Sequence, residues 1–204
     1  MCIRDSLLIE RVMTQHKHDA SFFFPNPVSQ RFCNQCGAEL SRIIPPGDNE
    51  LRDTCLACGA VHYRNPLIVV GALPIYNNKV LLCKRAIEPR YGTWTFPAGF
   101  MELSETTAQG AKRETLEEAG AQVEIGDLFT IIDVPGANQL HLYYLAQALN
   151  DQLDPGIESL EAAYFDIQDI PWDELAFRSI RTTLEHYVQA LESGDFGPFN
   201  YVIE

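Results

Sequence analysis

No apolar run in this chain approaches the roughly 18 residues that a membrane-crossing helix needs, so a helical membrane protein is excluded. The N-terminus also lacks a long apolar stretch ending in a small-residue cleavage site, and the chain is therefore read as cytoplasmic. Basic charge is scarce where the chain is longest. Residues 1–66 carry seven Lys/Arg against seven Asp/Glu, whereas residues 67–204 carry eight against 21, so the whole net charge of −13 falls on the second part. An acidic body repels a phosphate backbone, so nucleic acid is not an expected partner. A phosphorylated small molecule would have to arrive with divalent cations. There is no internal repeat and no low-complexity tract. The five histidines, His16, His18, His62, His141 and His186, are scattered, and none is assigned to catalysis.

At 204 residues and 46% hydrophobic composition, the chain can bury one good core and carry a small second unit. Its opening, MCIRDS, resembles the translated end of a sequencing adaptor joined to a reading frame. Residues 1–12 are accordingly set aside as non-native, and residues 1–29 are treated as an N-terminal tail.

Four of the remaining cysteines fall as Cys33-x2-Cys36 and Cys55-x2-Cys58, with 18 residues between the pairs. Such spacing fits a four-cysteine zinc ribbon, in which two tight turns present four thiolates to one ion; the alternatives are disulfides, disfavoured in a reducing compartment, and a redox pair, which would not need duplication. Gly37 and Gly59 follow the second cysteine of each pair and give those turns backbone room. Four thiolates close the coordination sphere, so the zinc is expected to be structural. Residues 30–65 form this module, which is too small to be held by burial alone. Arg31, Arg42, Arg52 and Arg64 are offset by acids, so a nucleic-acid role for the ribbon is the minor reading. Pro66 marks the boundary, residues 66–192 form the main domain, and residues 193–204 read as a C-terminal tail that docks on a partner subunit in a homodimer.

In the main domain, LIVVGALPIYNNKVLLCKRAI reads as two strands around a two-residue turn at Asn77-Asn78. Cys83 in the second run is a core residue. The Pro/Gly-punctuated EPRYGTWTFPAG is a loop, and residues 172–192 alternate at helical spacing as an amphipathic helix over the sheet.

Between them lies GFMELSETTAQGAKRETLEEAGA, residues 99–121, with Glu114, Glu117 and Glu118 crowded into five positions. Ser104 reads as the N-cap of a helix from residue 105 to about 119, stopped at Gly120. On that helix the three glutamates occupy an arc of roughly 100°, and the small residues Ala108, Ala111, Thr115 and Ala119 lie roughly 110° away, facing the sheet. Like charges at i, i+3 and i+4 destabilise a helix, and only Arg113, with Lys112 nearby, compensates. Converging carboxylates at this spacing are what Mg2+ or Mn2+ requires, while a solvated acidic face is the alternative.

The same stretch resembles the Nudix box, G-x5-E-x7-R-E-U-x-E-E-x-G-U, through Gly99, Glu105, Arg113, Glu114, Glu117, Glu118 and Gly120. Seven such matches coincide by chance about once in 10⁸ starting points. Thr115 and Ala121 stand where the pattern has larger aliphatic residues, a departure that touches packing and not chemistry. The order of the ribbon, HYRNP, RAIEPRYGTWTFPAGFME, the box and IPWDELAF is similar to zinc-ribbon Nudix hydrolases of bacteria and plant plastids that act on FAD and ADP-ribose.

The resemblance implies an α+β architecture, an α/β/α sandwich on a curved mixed sheet preceded by the small zinc ribbon. It implies hydrolysis of a nucleoside diphosphate linked to another group X. Glu114, Glu117 and Glu118 would hold Mg2+ or Mn2+ with the backbone carbonyl near Ala98, and Glu105 and Arg113 would brace the box. A glutamate on a later loop would serve as base, and DPGIESLEAAYF offers Glu158 ahead of Glu161. Arg85 and Arg90 are candidates for the substrate phosphates, and Phe100, Phe129, Tyr143 and Tyr144 for stacking an adenine or flavin ring. Pro135 stands near a marker proline of ADP-ribose-hydrolysing members. The SQPWPFPxS motif of the NADH-hydrolysing branch is absent. NADH, CoA and capped RNA remain alternative substrates, and a non-enzymatic nucleotide sensor is the remaining class. Such a sensor would have lost box glutamates, and this chain keeps all of them.

Overall fold

The computed structural model describes residues 30–204. The expectations for residues 1–29 lie outside the described residues. The contact pattern divides the chain between Asn65 and Pro66.

In the smaller unit, β1 (Ser41–Ile43), β2 (Arg52–Thr54) and β3 (Val61–His62) form a three-stranded antiparallel sheet. The two cysteine turns precede β1 and follow β2. In each, the first cysteine's carbonyl accepts from the glycine amide four residues on: Gly37 to Cys33 at 2.9 Å and Gly59 to Cys55 at 2.8 Å. Both glycines have positive φ, +76° and +78°, which is what the turn requires of them.

The larger unit is built on a mixed sheet. Its strands are β4 (Leu67–Tyr76), β5 (Lys79–Arg85), β6 (Trp94–Thr95), β7 (Ala98–Phe100), β8 (Val123–Val134), β9 (Gln139–Ala148), β10 (Ser159–Phe165) and β11 (Phe199–Val202). The main order is β10-β5-β4-β9-β8-β11, with β6 on β5 and β7 on β4. The β4–β9 and β8–β11 pairs are parallel, and the others are antiparallel. Asn77 and Asn78 both take positive φ, the geometry of a type I′ hairpin, as their sequence position requires. Strand β4 changes neighbour along its length, pairing with β7 at Val69–Gly71 and with β5 at Ile75–Tyr76. Residues 86–93 are thereby carried out of the sheet, and β6 returns the chain to it.

Two helices cover opposite faces. Helix α1 (Thr107–Ala119) lays Ala111 against Val70, Ala72, Val123 and Ala146. Helix α2 (Arg178–Ser193) packs Ile180, Leu184 and Tyr187 against Leu73, Phe129, Ile132 and Tyr143. The sandwich read from the sequence is the one observed, with three local corrections. The N-cap of α1 is Thr106 and not Ser104, because a reciprocal capping box forms between Thr106 and Gln109. Helix α2 begins at Arg178 and not near residue 172. Leu175 bridges Trp94 and the Ala176 amide bonds the Trp94 carbonyl at 2.8 Å, which holds that segment extended. The C-terminal residues are not all tail. Strand β11 extends their own sheet, and Phe199 and Tyr201 lie against the His186 ring at 4.8 and 4.5 Å.

A polar chain, buried at Tyr143 and Ser179, crosses the α2 face. His141 Nδ1 accepts from the Tyr143 hydroxyl at 2.9 Å, His141 Nε2 donates to Gln139 Oε1 at 2.9 Å, and Ser179 Oγ lies 3.3 Å from the same hydroxyl. Burial pushes His141 down to about 4. The unfolded imidazole, near 6.5, takes up its proton first as pH falls. The stabilisation from keeping it neutral is therefore present above pH 6.5 and lost as pH falls toward 4. Between pH 7.5 and 4.5 the wild type should lose about 2 to 3 kcal/mol more unfolding free energy than His141→Gln, read from urea titrations at the two pH values.

Candidate active site

The site is assembled where α1 passes β7. Arg113, at the middle of the helix, gathers the carboxylates around it. Its Nε and Nη2 donate to Glu105 Oε2 and Oε1 at 3.0 and 2.8 Å, and its Nη1 donates to Glu114 Oε1 at 2.7 Å and Glu117 Oε2 at 3.0 Å. A further bond from Nη2 reaches the Phe100 carbonyl of β7 at 3.2 Å. Planar guanidinium geometry suits this forked role, which a lysine could not fill. The Glu102 amide also donates to Glu105 Oε1 at 2.7 Å. Both Glu105 oxygens are thus engaged, and Arg113 and the Glu102 amide hold its carboxyl down to about 2.

Glu118 is placed differently. It is 7% exposed, and its Oε2 accepts from the Ala98 amide at 3.1 Å. Burial first, and the charge of Glu114 second, push its carboxyl up to about 8, against the Ala98 amide and Arg85. Burial also raises Glu114. Only Glu117 stands open, at 58% side-chain exposure. The sequence reading set all three glutamates on a face turned from the sheet. In the structure β7 and its flanking loop cover most of that face, so Glu114 and Glu118 are enclosed. The hydrogen bonds above engage one oxygen each of Glu114, Glu117 and Glu118.

Gly99 makes this enclosure sterically feasible. A Cβ there would lie 2.3 Å from Glu114 Oε1 and 2.4 Å from its carboxyl carbon, so any side chain would expel the carboxylate.

Of the outer candidates, Arg85 reaches the site. Its charge acts on Glu118, its Nε donates to the Pro89 carbonyl at 2.9 Å, and its guanidinium lies 5.1 Å from the Phe177 ring centre. Arg90 is exposed in the neighbouring turn, its carbonyl accepting from Thr93. Glu158 acts electrostatically on Glu114, Glu118 and Arg85, whereas Glu161 lies opposite Lys84 on β10. Among the aromatic candidates, Phe129 and Tyr143 are core residues, Tyr144 is tied to Thr107 at 2.5 Å, and Phe100 is 44% exposed. Pro135 opens a short turn between β8 and β9. The Ala98 amide and the Phe100 carbonyl are contacts no side-chain pattern announces. The only sequence signal for them is the bracketing of the loop by Pro97 and Gly99.

The four ribbon sulfurs lie within 4.8 Å of one another, with Cys33–Cys58 at 3.7 Å and Cys36–Cys55 at 3.5 Å. A tetrahedron with Zn–S of about 2.3 Å has edges of about 3.8 Å, so the donor set fits zinc. The Cys58 amide holds the Cys55 thiol down to about 7, and His62 Nε2 lies 3.4 Å from the Cys33 sulfur.

Fold and site together define a metal-assisted hydrolase built on a helix-borne carboxylate cluster. The family model for the NUDIX domain matches residues 65–186, and that for the Nudix N-terminal zinc ribbon matches residues 31–64. The chain belongs to the Nudix hydrolase family. A crystal structure of a NUDIX hydrolase from Nitrosomonas europaea superimposes with a TM-score of 0.83 at 46% identity, covering 85% of this chain and 99% of that one. An ADP-ribose pyrophosphatase of Methanocaldococcus jannaschii is 29% identical over 119 residues, covering 56% of this chain and 69% of its own length. The NAD-capped RNA hydrolase NudC of Vibrio atlanticus is 31% identical over 150 residues, covering 70% of this chain and 52% of its own length. The alignment thus spans about half of that last relative. Among the described residues, no helix is long and apolar enough to cross a membrane.

Proposed function

We propose that this chain hydrolyses the pyrophosphate bond of ADP-linked compounds, ADP-ribose and FAD foremost, with release of AMP. The observation that carries the reading is the Arg113-centred cluster, in which Glu105 is saturated as a brace while Glu114, Glu117 and Glu118 each keep one carboxylate oxygen for a cation. Mg2+ or Mn2+ held there with the Ala98 carbonyl would neutralise the diphosphate and lower the pKa of a bound water. Arg113 and Glu105 fix the helix against β7, and Arg85 faces the substrate phosphates, with Arg90 at the rim. Glu158 accepts the proton of the attacking water, and Phe100 offers a ring for the base. The zinc of the ribbon is structural, held by Cys33, Cys36, Cys55 and Cys58. A second reading, hydrolysis of NAD-capped RNA, is supported by the NudC relatives and opposed by the acidic body.

The test is a chromatographic panel of ADP-ribose, FAD, NADH, CoA and an NAD-capped RNA fragment with Mg2+ or Mn2+. AMP from ADP-ribose or FAD at rates above all other substrates is the expected result. Preferential decapping of the RNA would replace it with the second reading.

A further inference from the structure

The loop before β10 is fastened to the end of α1 by backbone contacts, one of them against the box residue Gly120. A helix end leaves carbonyls without intrahelical donors, and here the loop supplies them. The Asp154 amide donates to the Ala119 carbonyl at 2.8 Å, and the Gly156 amide donates to the Glu118 carbonyl at 3.3 Å. The approach is close on both sides. A Cβ on Gly156 would lie 2.0 Å from the Glu117 carbonyl oxygen, and a Cβ on Gly120 would lie 2.5 Å from the Asp154 carbonyl oxygen. The φ of Gly156 lies outside the left-handed region, so contact and not conformation is what demands glycine there. Two residues further on, the Glu158 carbonyl accepts from the Ala86 amide at 2.8 Å, tying it to the chain leaving β5. Glu158 is therefore held between two anchors, and the first of them is the backbone of Glu117 and Glu118.

We infer that Gly156 is a positioning residue for catalysis: its close seat on the Glu117 carbonyl sets the distance between Glu158 and the carboxylates of α1. The inference rests on the reading of Glu158 as the proton acceptor. A displacement of about 1 Å is enough to cost such a group much of its effect. Adding one methyl at Gly156 must move the loop, because the atom it meets is backbone.

The test is a double-mutant cycle on the full chain with ADP-ribose and Mg2+. Glu158→Gln should lower kcat about 10²-fold or more, and Gly156→Ala should lower it at least about tenfold with KM within about twofold. In the Glu158→Gln background, Gly156→Ala should cost less than about twofold more, because the group it positions is already gone. Hydrogen exchange gives a readout independent of turnover. The Asp154 and Gly156 amides should exchange at least about tenfold faster in Gly156→Ala while those of α2 keep their protection. Pro155→Gly, which loosens the loop without adding bulk, carries the same cycle should Gly156→Ala not fold. Losses that multiply in the double variant, or a Gly156→Ala kcat equal to wild type beside an impaired Glu158→Gln, would overturn the positioning role alone. Wild-type turnover in Glu158→Gln would overturn the proton-acceptor reading and this inference with it.

Discussion

Glu118→Gln is expected to reduce turnover about 10³-fold or more while leaving the fold intact. The substitution keeps the size of the side chain and an acceptor oxygen for the Ala98 amide, so packing against β7 is preserved. What it removes is a negative charge from the most enclosed of the three carboxylates, and divalent cations bind oxygen donors in proportion to that charge. A buried charge beside Glu114 is also unfavourable for the metal-free protein. The metal-free variant should therefore melt at or above the wild-type temperature, and added Mg2+ should stabilise it less than it stabilises the wild type. Differential scanning calorimetry with and without Mg2+, run beside a turnover assay, checks both halves. Wild-type turnover in the variant would remove Glu118 from the metal site.

The second large effect is expected at the ribbon. Cys33→Ser should lose bound zinc and unfold residues 30–65, because a unit with three short strands and two turns has little apolar area to bury and depends on ion binding for most of its folding free energy. Structural zinc contributes an apparent ~10 to 16 kcal/mol in comparable small modules, far more than the sheet could replace. Zinc analysis should fall from one equivalent to none. Limited proteolysis should then cut within residues 30–65 while the body from Pro66 onward resists. Retention of both zinc and protease resistance would refute the four-thiolate assignment.

Much of this was legible in the sequence, for a physical reason. The glutamates, Arg113 and the glycines that admit them lie within 22 residues of one another, so one helix and one loop bring most of the cluster together. Likewise the cysteine pairs encode their own turns, and Asn77-Asn78 encodes its hairpin. Missing from the sequence were features set by chain segments far apart. Periodicity placed Glu118 on an open face because it knows the helix and not the strand that covers it. The start of α2 was misplaced because its helical pattern runs on through residues that a bridge to Trp94 keeps extended. The fastening of Gly156 on Glu117 joins positions 39 apart, and a glycine after proline in a loop looks like any other turn.

Arg113 also determines what this protein is when cations are scarce. Because its guanidinium spans Glu105, Glu114 and Glu117, the chain supplies the carboxylate nest with a counter-charge of its own. A clamp of this kind keeps three carboxylates from pushing one another apart, so loss of a divalent cation would be felt in turnover before it is felt in the fold.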